Sequence, residues 1–168
     1  LQPRALPVSY EYVGQTAGSK EVEVRARVTG ILEKRLFAEG APVKAGQPLF
    51  VIDPKPLEAQ AAAAAAEVAR ARAQLTQAER EVTRLKPLAE RRAIGQKEAD
   101  DAISNAELAG ATMKAAEARL AEVNLSLGYT RVNAPITGLS SRANKSEGSL
   151  VNANETLLTT IAQVDPIW

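Results

Sequence analysis

The sequence predicts an α+β fold, a small β-sandwich cut in two by a long antiparallel coiled-coil α-hairpin. Three observations carry this expectation. The chain changes texture twice: residues 1–55 are rich in Val, Gly and Pro, residues 56–127 in Ala, Glu, Arg, Lys and Gln, and residues 128–168 return to Val, Leu, Thr, Gly and Asn. The two outer regions share a motif: Ala26 to Leu49 (ARVTGILEKRLFAEGAPVKAGQPL) lies without a gap on Ala134 to Leu157 (APITGLSSRANKSEGSLVNANETL), 108 residues further on. The middle region repeats apolar residues at sevens along two separate stretches, the mark of coiled-coil strands.

The first β-half is expected over residues 20–55. Glu21 to Ala26 (EVEVRA) alternates charged with small or apolar side chains, as a half-buried strand does. Gly30 and Gly40 punctuate turns, and Gln47 to Ile52 is a short apolar strand stopped by Asp53-Pro54. The second half, residues 128–163, repeats this with Gly138, Gly148 and a strand from Thr156 to Ala162. Under the 108-residue offset Gly30 falls on Gly138 and Gly40 on Gly148, Val43 on Val151, Ala45 on Ala153 and Leu49 on Leu157. Coinciding glycines are informative because glycine marks positive φ or close backbone approach. Two matched halves imply a pseudo-two-fold axis.

The hairpin is expected over residues 56–127. Ala, Leu, Glu, Arg and Gln dominate, the best helix formers. Pro56 sits where a first-turn proline is tolerated. One seam runs through Ala61, Val68, Leu75, Val82 and Ala89, interleaved with Leu57, Ala64, Ala71, Ala78 and Leu85. The other runs through Ala99, Ala106, Met113, Leu120 and Leu127, interleaved with Ala102, Ala109, Ala116 and Val123. The tip falls near residues 91–97, with Gly95 as the expected helix breaker. About 33 residues per helix make an arm of roughly 50 Å, longer than a β-domain of this size covers.

Composition narrows the function. The chain has 21 Lys+Arg, 20 Asp+Glu, no Cys and no His. Balanced charge argues against nucleic acid as a partner. Without thiolate or imidazole, Ser140, Ser141 and Ser146 have no histidine base, and a zinc site has no soft ligands. The carboxylates lie beside Arg and Lys at helical spacing, where ion pairs explain them. No catalytic residue, metal site or cofactor is expected.

Four stretches then carry a resemblance over nearly the whole chain: Val24-Arg25-Ala26-Arg27-Val28-Thr29-Gly30; Phe37-Ala38-Glu39-Gly40 with Val43-Lys44-Ala45-Gly46 and Leu49-Phe50-Val51-Ile52-Asp53; Leu127 through Gly138 (LGYTRVNAPITG); and Gln163 through Trp168 (QVDPIW). Together they resemble the membrane fusion proteins, or periplasmic adaptors, of tripartite RND-type efflux pumps, AcrA/MexA-like. The resemblance implies a lipoyl/biotinyl-like β-sandwich split by the hairpin, and a non-catalytic periplasmic subunit. That subunit would link an inner-membrane RND transporter to a TolC-like outer-membrane channel for efflux of drugs and toxic compounds across the Gram-negative envelope. Self-association into a trimeric or hexameric ring follows from it. So does anchoring to the inner membrane by a lipid or N-terminal segment outside this chain. Residues 1–19 and 164–168 read as stubs toward a β-barrel and a membrane-proximal domain. At the hairpin tip the family carries Arg-x3-Leu-x6-Ser, which contacts the channel. Arg84 and Leu88 match it, Gly95 replaces the serine, and Ile94 and Gln96 flank that position.

Two alternatives stand beside this. An adaptor of an ABC-type pump or type I secretion system shares the architecture. A biotin or lipoyl carrier would show its lysine at the junction of the halves, near Lys55, or at Met113-Lys114, which lies mid-helix with Met113 on the seam.

Overall fold

A computed structural model describes residues 18–167. In chain order the elements are β1 (Gly18–Arg25), β2 (Gly30–Arg35), β3 (Pro42–Val43), β4 (Pro48–Ile52), α1 (Lys55–Glu90), α2 (Gln96–Gly128), β5 (Arg131–Asn133), β6 (Gly138–Ser140), β7 (Leu150–Val151) and β8 (Leu157–Ile167). Residues 1–17 of the suggested stub over 1–19, and Trp168 of the one over 164–168, lie outside the described residues. Beyond Gln163, β8 continues to Ile167, which pairs with Gly18 of β1.

The strands form two four-stranded sheets, ordered β1-β8-β6-β3 and β5-β4-β2-β7, with every pair antiparallel. Each sheet draws strands from both halves of the sequence, so the halves interlock. Their bonds are reciprocal. Val43 pairs with Gly138, and Val151 with Gly30. Thr137 Oγ1 accepts the Ala45 N–H at 3.0 Å, and Thr29 Oγ1 accepts the Ala153 N–H at 3.0 Å. The Gly46 N–H donates to the Ala134 carbonyl at 2.8 Å, and the Asn154 N–H to the Ala26 carbonyl at 2.7 Å. Each bond becomes its mate when 108 is added to one residue and taken from the other, which is the pseudo-two-fold axis in space.

The gapless alignment holds only as far as this turn. Leu49, Phe50 and Ile52 are buried, and their mates in the other half are Leu158, Thr159 and Ile161, at an offset of 109. Phe50 opposes Val132, and Thr159 opposes Val24. The extra residue sits in the second turn. The Lys44 N–H donates to Gln47 Oε1 at 3.0 Å across a three-residue step, whereas the Asn152 N–H reaches Thr156 Oγ1 at 2.9 Å across four. Leu49 therefore corresponds to Leu158, not Leu157. A one-residue slip moves a strand's side chains to the other face, so burial decides the register.

The four matched glycines also divide. Gly40 and Gly148 occupy turns with φ of 73° and 84°, a region that disfavours a Cβ. Gly30 and Gly138, expected as turn residues, instead open β2 and β6. There a Cβ would sit 2.7 Å from Ile52 Cγ2 and 2.4 Å from the Ala162 carbonyl oxygen, respectively. Gly46 and Asn154 form a further pair, with φ of 82° and 62°. Asparagine is among the few side chains that tolerate this region.

The core lies between the sheets, around Leu32, Leu49, Phe50, Ile52, Val43, Val151, Leu158 and Ile161. Phe37 meets Phe50 edge-to-face, with ring centroids 5.2 Å apart. The halves fill it unequally. Leu32 is matched by Ser140, whose hydroxyl donates to the Ala41 carbonyl at 2.9 Å. Phe50 is matched by Thr159, fully buried, whose hydroxyl lies 3.2 Å from the carbonyls of Ser141 and Arg142. Such hydrogen-bond partners offset the cost of burying a hydroxyl.

The arm takes the place of a turn. β4 and β5 are antiparallel neighbours, and the Ile52 N–H donates to the Thr130 carbonyl at 2.8 Å. A tight connection would join such strands; here α1 leaves from Ile52-Asp53 and α2 returns at Thr130. The helices run 36 and 33 residues. Their facing surfaces are largely alanine: Ala71 and Leu85 on α1, and Ala99, Ala102, Ala116 and Val123 on α2, are buried. Val68, Leu75, Val82, Met113 and Leu120 are half-buried along the same line. Small side chains let the two axes approach closely.

Candidate functional site

Of the residues expected at the hairpin tip, Arg84 and Leu88 lie in the last two turns of α1, Ile94 and Gly95 in the connection, and Gln96 opens α2. Arg84 and Leu88 are four residues apart on α1 and so share a face one turn apart. Both are exposed, with Leu88 at 36%. Arg84 forms an ion pair with Glu81. Its hydrogen bond to Glu81 and the charges of Glu81 and Glu98 hold its guanidinium above the ordinary arginine range. Glu98 belongs to α2, so the Arg84 cation feels both helices. Ile94 is half-buried in the connection, and Gln96 is exposed, its Nε2 donating to Asp100 Oδ1 at 3.1 Å.

The helix break differs from expectation. α1 ends at Glu90 with Arg91 as its cap, and Arg92 takes the left-handed conformation with φ 58°. The Arg92 N–H donates to the Ala89 carbonyl at 2.9 Å and the Ala93 N–H to the Leu88 carbonyl at 2.8 Å, the paired bonds of a Schellman ending. Gly95 is not the breaker: with φ −70° and ψ 142° it is extended and caps the start of α2. Glu98 follows in the first turn of α2, where the helix dipole favours an acid. Starting α2 at Gln96 fixes the reversal to the residues before Gly95. A Cβ at Gly95 would meet nothing within 4 Å, so the serine of the family pattern fits here, at the cap.

A second concave feature lies at the other end of the arm. A cleft of about 830 Å³ runs between β1, β5 and the last turn of α2, lined by Val22, Arg27, Leu125, Tyr129 and Arg131 among others. Arg27 stacks over the Tyr129 ring, 5.0 Å from its centroid. The sequence does not show it because it joins strands more than a hundred residues apart; the alternation of Arg25 and Arg27 is the local signal.

Among the described residues no cluster of His, Cys, Asp or Glu is arranged to hold a metal ion. No described helix is long and apolar enough to cross a membrane. Lys55 opens α1 and Lys114 is exposed in the middle of α2, so neither stands in a tight β-turn where a carrier would display a modified lysine.

The profile of the RND MFP barrel-sandwich hybrid domain matches residues 20–163. The chain belongs to the RND membrane fusion protein family. It is 41% identical over 170 residues to the efflux pump periplasmic linker BepD of Brucella suis, covering all of this chain and 43% of that protein. It is 37% identical over 169 residues to the multidrug efflux pump subunit AcrA of Escherichia coli K12, again covering all of this chain and 43% of the relative. The chain thus spans less than half the length of these curated relatives. Among solved structures, ZneB from Cupriavidus metallidurans superposes with a TM-score of 0.65 at 28% identity, over 89% of this chain and 64% of that one. Membrane fusion proteins are adaptors and not catalysts, and this chain belongs to that family.

Proposed function

We propose that this chain is the arm-bearing portion of a periplasmic adaptor linking an inner-membrane RND transporter to a TolC-like outer-membrane channel for export of drugs and other toxic compounds. The observation that carries this reading is the arm itself: two helices of 36 and 33 residues leaving a small sandwich and presenting Arg84 and Leu88, both exposed, one turn apart near the tip. Relatives named as efflux pump periplasmic linkers support it. In this reading the tip, with Arg84, Leu88, Ile94, Gly95 and Gln96, meets the channel. The sandwich packs against neighbouring copies as a trimeric or hexameric ring, and a lipid or N-terminal segment anchors the adaptor to the inner membrane. Residues 1–19 and 164–168 lead toward a β-barrel and a membrane-proximal domain.

The test is Arg84→Asp. Arg84 is exposed and its ion pair among the described residues is with Glu81 on the same helix, so the variant keeps the wild-type melting curve. In cells lacking their own adaptor it fails to restore tolerance to exported drugs. Full tolerance with Arg84→Asp would remove Arg84 from the channel contact.

A further inference from the structure

The cleft at the base of the arm lies between β1 and β5, an edge strand of each sheet. The two strands are mates under the 108-residue offset. Val24 lines the cleft with Val132, and Ala26 with Ala134; all four are buried and form its floor. The last turn of α2 stands beside this floor. There Leu125 and Tyr129, four residues apart, share a face that lines the cleft. Gly18 and Ile167 pair at the other end of the β1–β8 ladder from Arg25, so the cleft opens at the arm and not where the described chain leaves the sandwich. Its volume of about 830 Å³ falls among those of small-molecule sites, about 300–1,000 Å³.

Two chemistries meet in it. Leu125 is 57% exposed, and Val22 and Tyr129 are half-buried, so an apolar body entering the cleft would cover surface that the fold leaves in water. Three arginines line the cleft against one acid, Glu23, which Arg25 holds at 2.7 Å. Arg27 and Arg131 have no ion pair among the described residues. Other arginines share that condition; these two are set apart because they reach one concavity from the two halves of the sequence. Glu21, Glu122 and Glu155 are near in sequence but do not line it, and Glu122 is held by Arg119. Stacking on the Tyr129 ring restrains the Arg27 guanidinium beside the cleft while no carboxylate claims its N–H donors.

We propose that this cleft is a binding site for a small organic anion with a flat apolar body, an aryl carboxylate or sulfonate. Leu125, Val22 and Tyr129 cover the body. Arg27 and Arg131 take the charged head, which a planar guanidinium engages through paired N–H donors. A ligand touching α2 together with β1 and β5 braces the base of the arm against the sandwich. The site stands whether or not the tip meets a channel, so the two readings fail separately.

The probe is anilinonaphthalene sulfonate, with phenylnaphthylamine as its uncharged counterpart, each titrated into the 168-residue chain and followed by fluorescence. The sulfonate is expected to bind about tenfold more tightly than the amine, through its charge-assisted hydrogen bonds. Arg27→Gln and Arg131→Gln each weaken it about tenfold, and Leu125→Glu abolishes it by setting a carboxylate against the anion. All three side chains are exposed, so the variants keep the wild-type melting curve. Leu108→Ser, which removes a leucine 68% exposed outside the cleft, leaves binding unchanged. Equal affinity for sulfonate and amine, or sulfonate binding that survives Arg27→Gln combined with Arg131→Gln, means an apolar patch without anion recognition and overturns the proposal. Loss of binding in Leu108→Ser puts the probe elsewhere on the arm and overturns it as well. If the sulfonate binds only at dilutions where sedimentation shows single copies, a second copy covers the cleft and the proposal is equally overturned.

Discussion

Gly138 and Gly30 occupy matching positions but answer to different neighbours. A Cβ on Gly138 runs into a carbonyl of the paired strand at 2.4 Å, which moves only with the ladder; on Gly30 it meets a side-chain methyl of Ile52 at 2.7 Å. Gly138→Ala is expected to cost about 2–3 kcal/mol in denaturant melts and Gly30→Ala less, since overpacking is relieved where a side chain adapts. Gly110 behaves oppositely. Its added Cβ would lie 3.8 Å from Leu75 Cδ1, an ordinary contact, so Gly110→Ala should raise stability by about 1 kcal/mol through helix propensity. The glycine coincidences were legible as a repeat, because identical residues at fixed spacing are a property of the string. Their separate reasons were not, since Gly138 is constrained by Ala162, and only pairing across strands puts the two together. Arg92 was illegible for a related cause. Nothing in its residue type marks a left-handed turn, and Gly95 offered a better local signal that capping of α2 had already claimed.

The arm is held by a seam of small side chains, so it has little apolar area to lose. Leu85 and Val123 are 8% and 6% exposed, and a carboxylate at either would be desolvated without a partner. Leu85→Asp or Val123→Asp should abolish most of the far-UV helical signal near room temperature while strand signals persist. The exposed face contributes little and does so conditionally. Glu67 is held below its ordinary value of 4.5 first by its hydrogen bond from Arg70 and then by that cation's charge. A depressed carboxylate adds stability that is present above the unfolded value and lost as pH falls through the folded one. Helicity should therefore decline on acidification below about pH 4.5, and Glu67→Gln should flatten that part of the titration. The pair is exposed, so salt should shrink the effect. At this scale the helices were the legible elements, because a seven-residue period is local and repeats over many turns. β3 and β7, two residues each, carry no period and exist only because β6 and β2 lie beside them.

The molecule is a sandwich of interlocked halves with an arm in place of one turn. That architecture has a direct consequence. Ile52 and Thr130 already share a 2.8 Å hydrogen bond where the arm departs, so replacing residues 54–129 by a two-residue turn should leave a cooperatively folded sandwich. Residues 20–55 alone should stay unfolded, because β1 and β3 find their partners only in β8 and β6. One-dimensional NMR separates these outcomes. The sandwich-and-arm plan was legible from the texture of the chain and the repeat; the one-residue insertion near Asn154 was not, because identities on either side of it survive an offset of 108 well enough to hide the change to 109. In the proposed function the arm ends on an outer-membrane channel. The most direct measurement places Ala93→Cys, as the single thiol of the chain, in cells making the complete pump and identifies what it crosslinks. A covalent product containing the channel is expected, lost when Arg84→Asp is added. Crosslinks to the inner-membrane transporter alone, or channel crosslinks indifferent to Arg84→Asp, would contradict it.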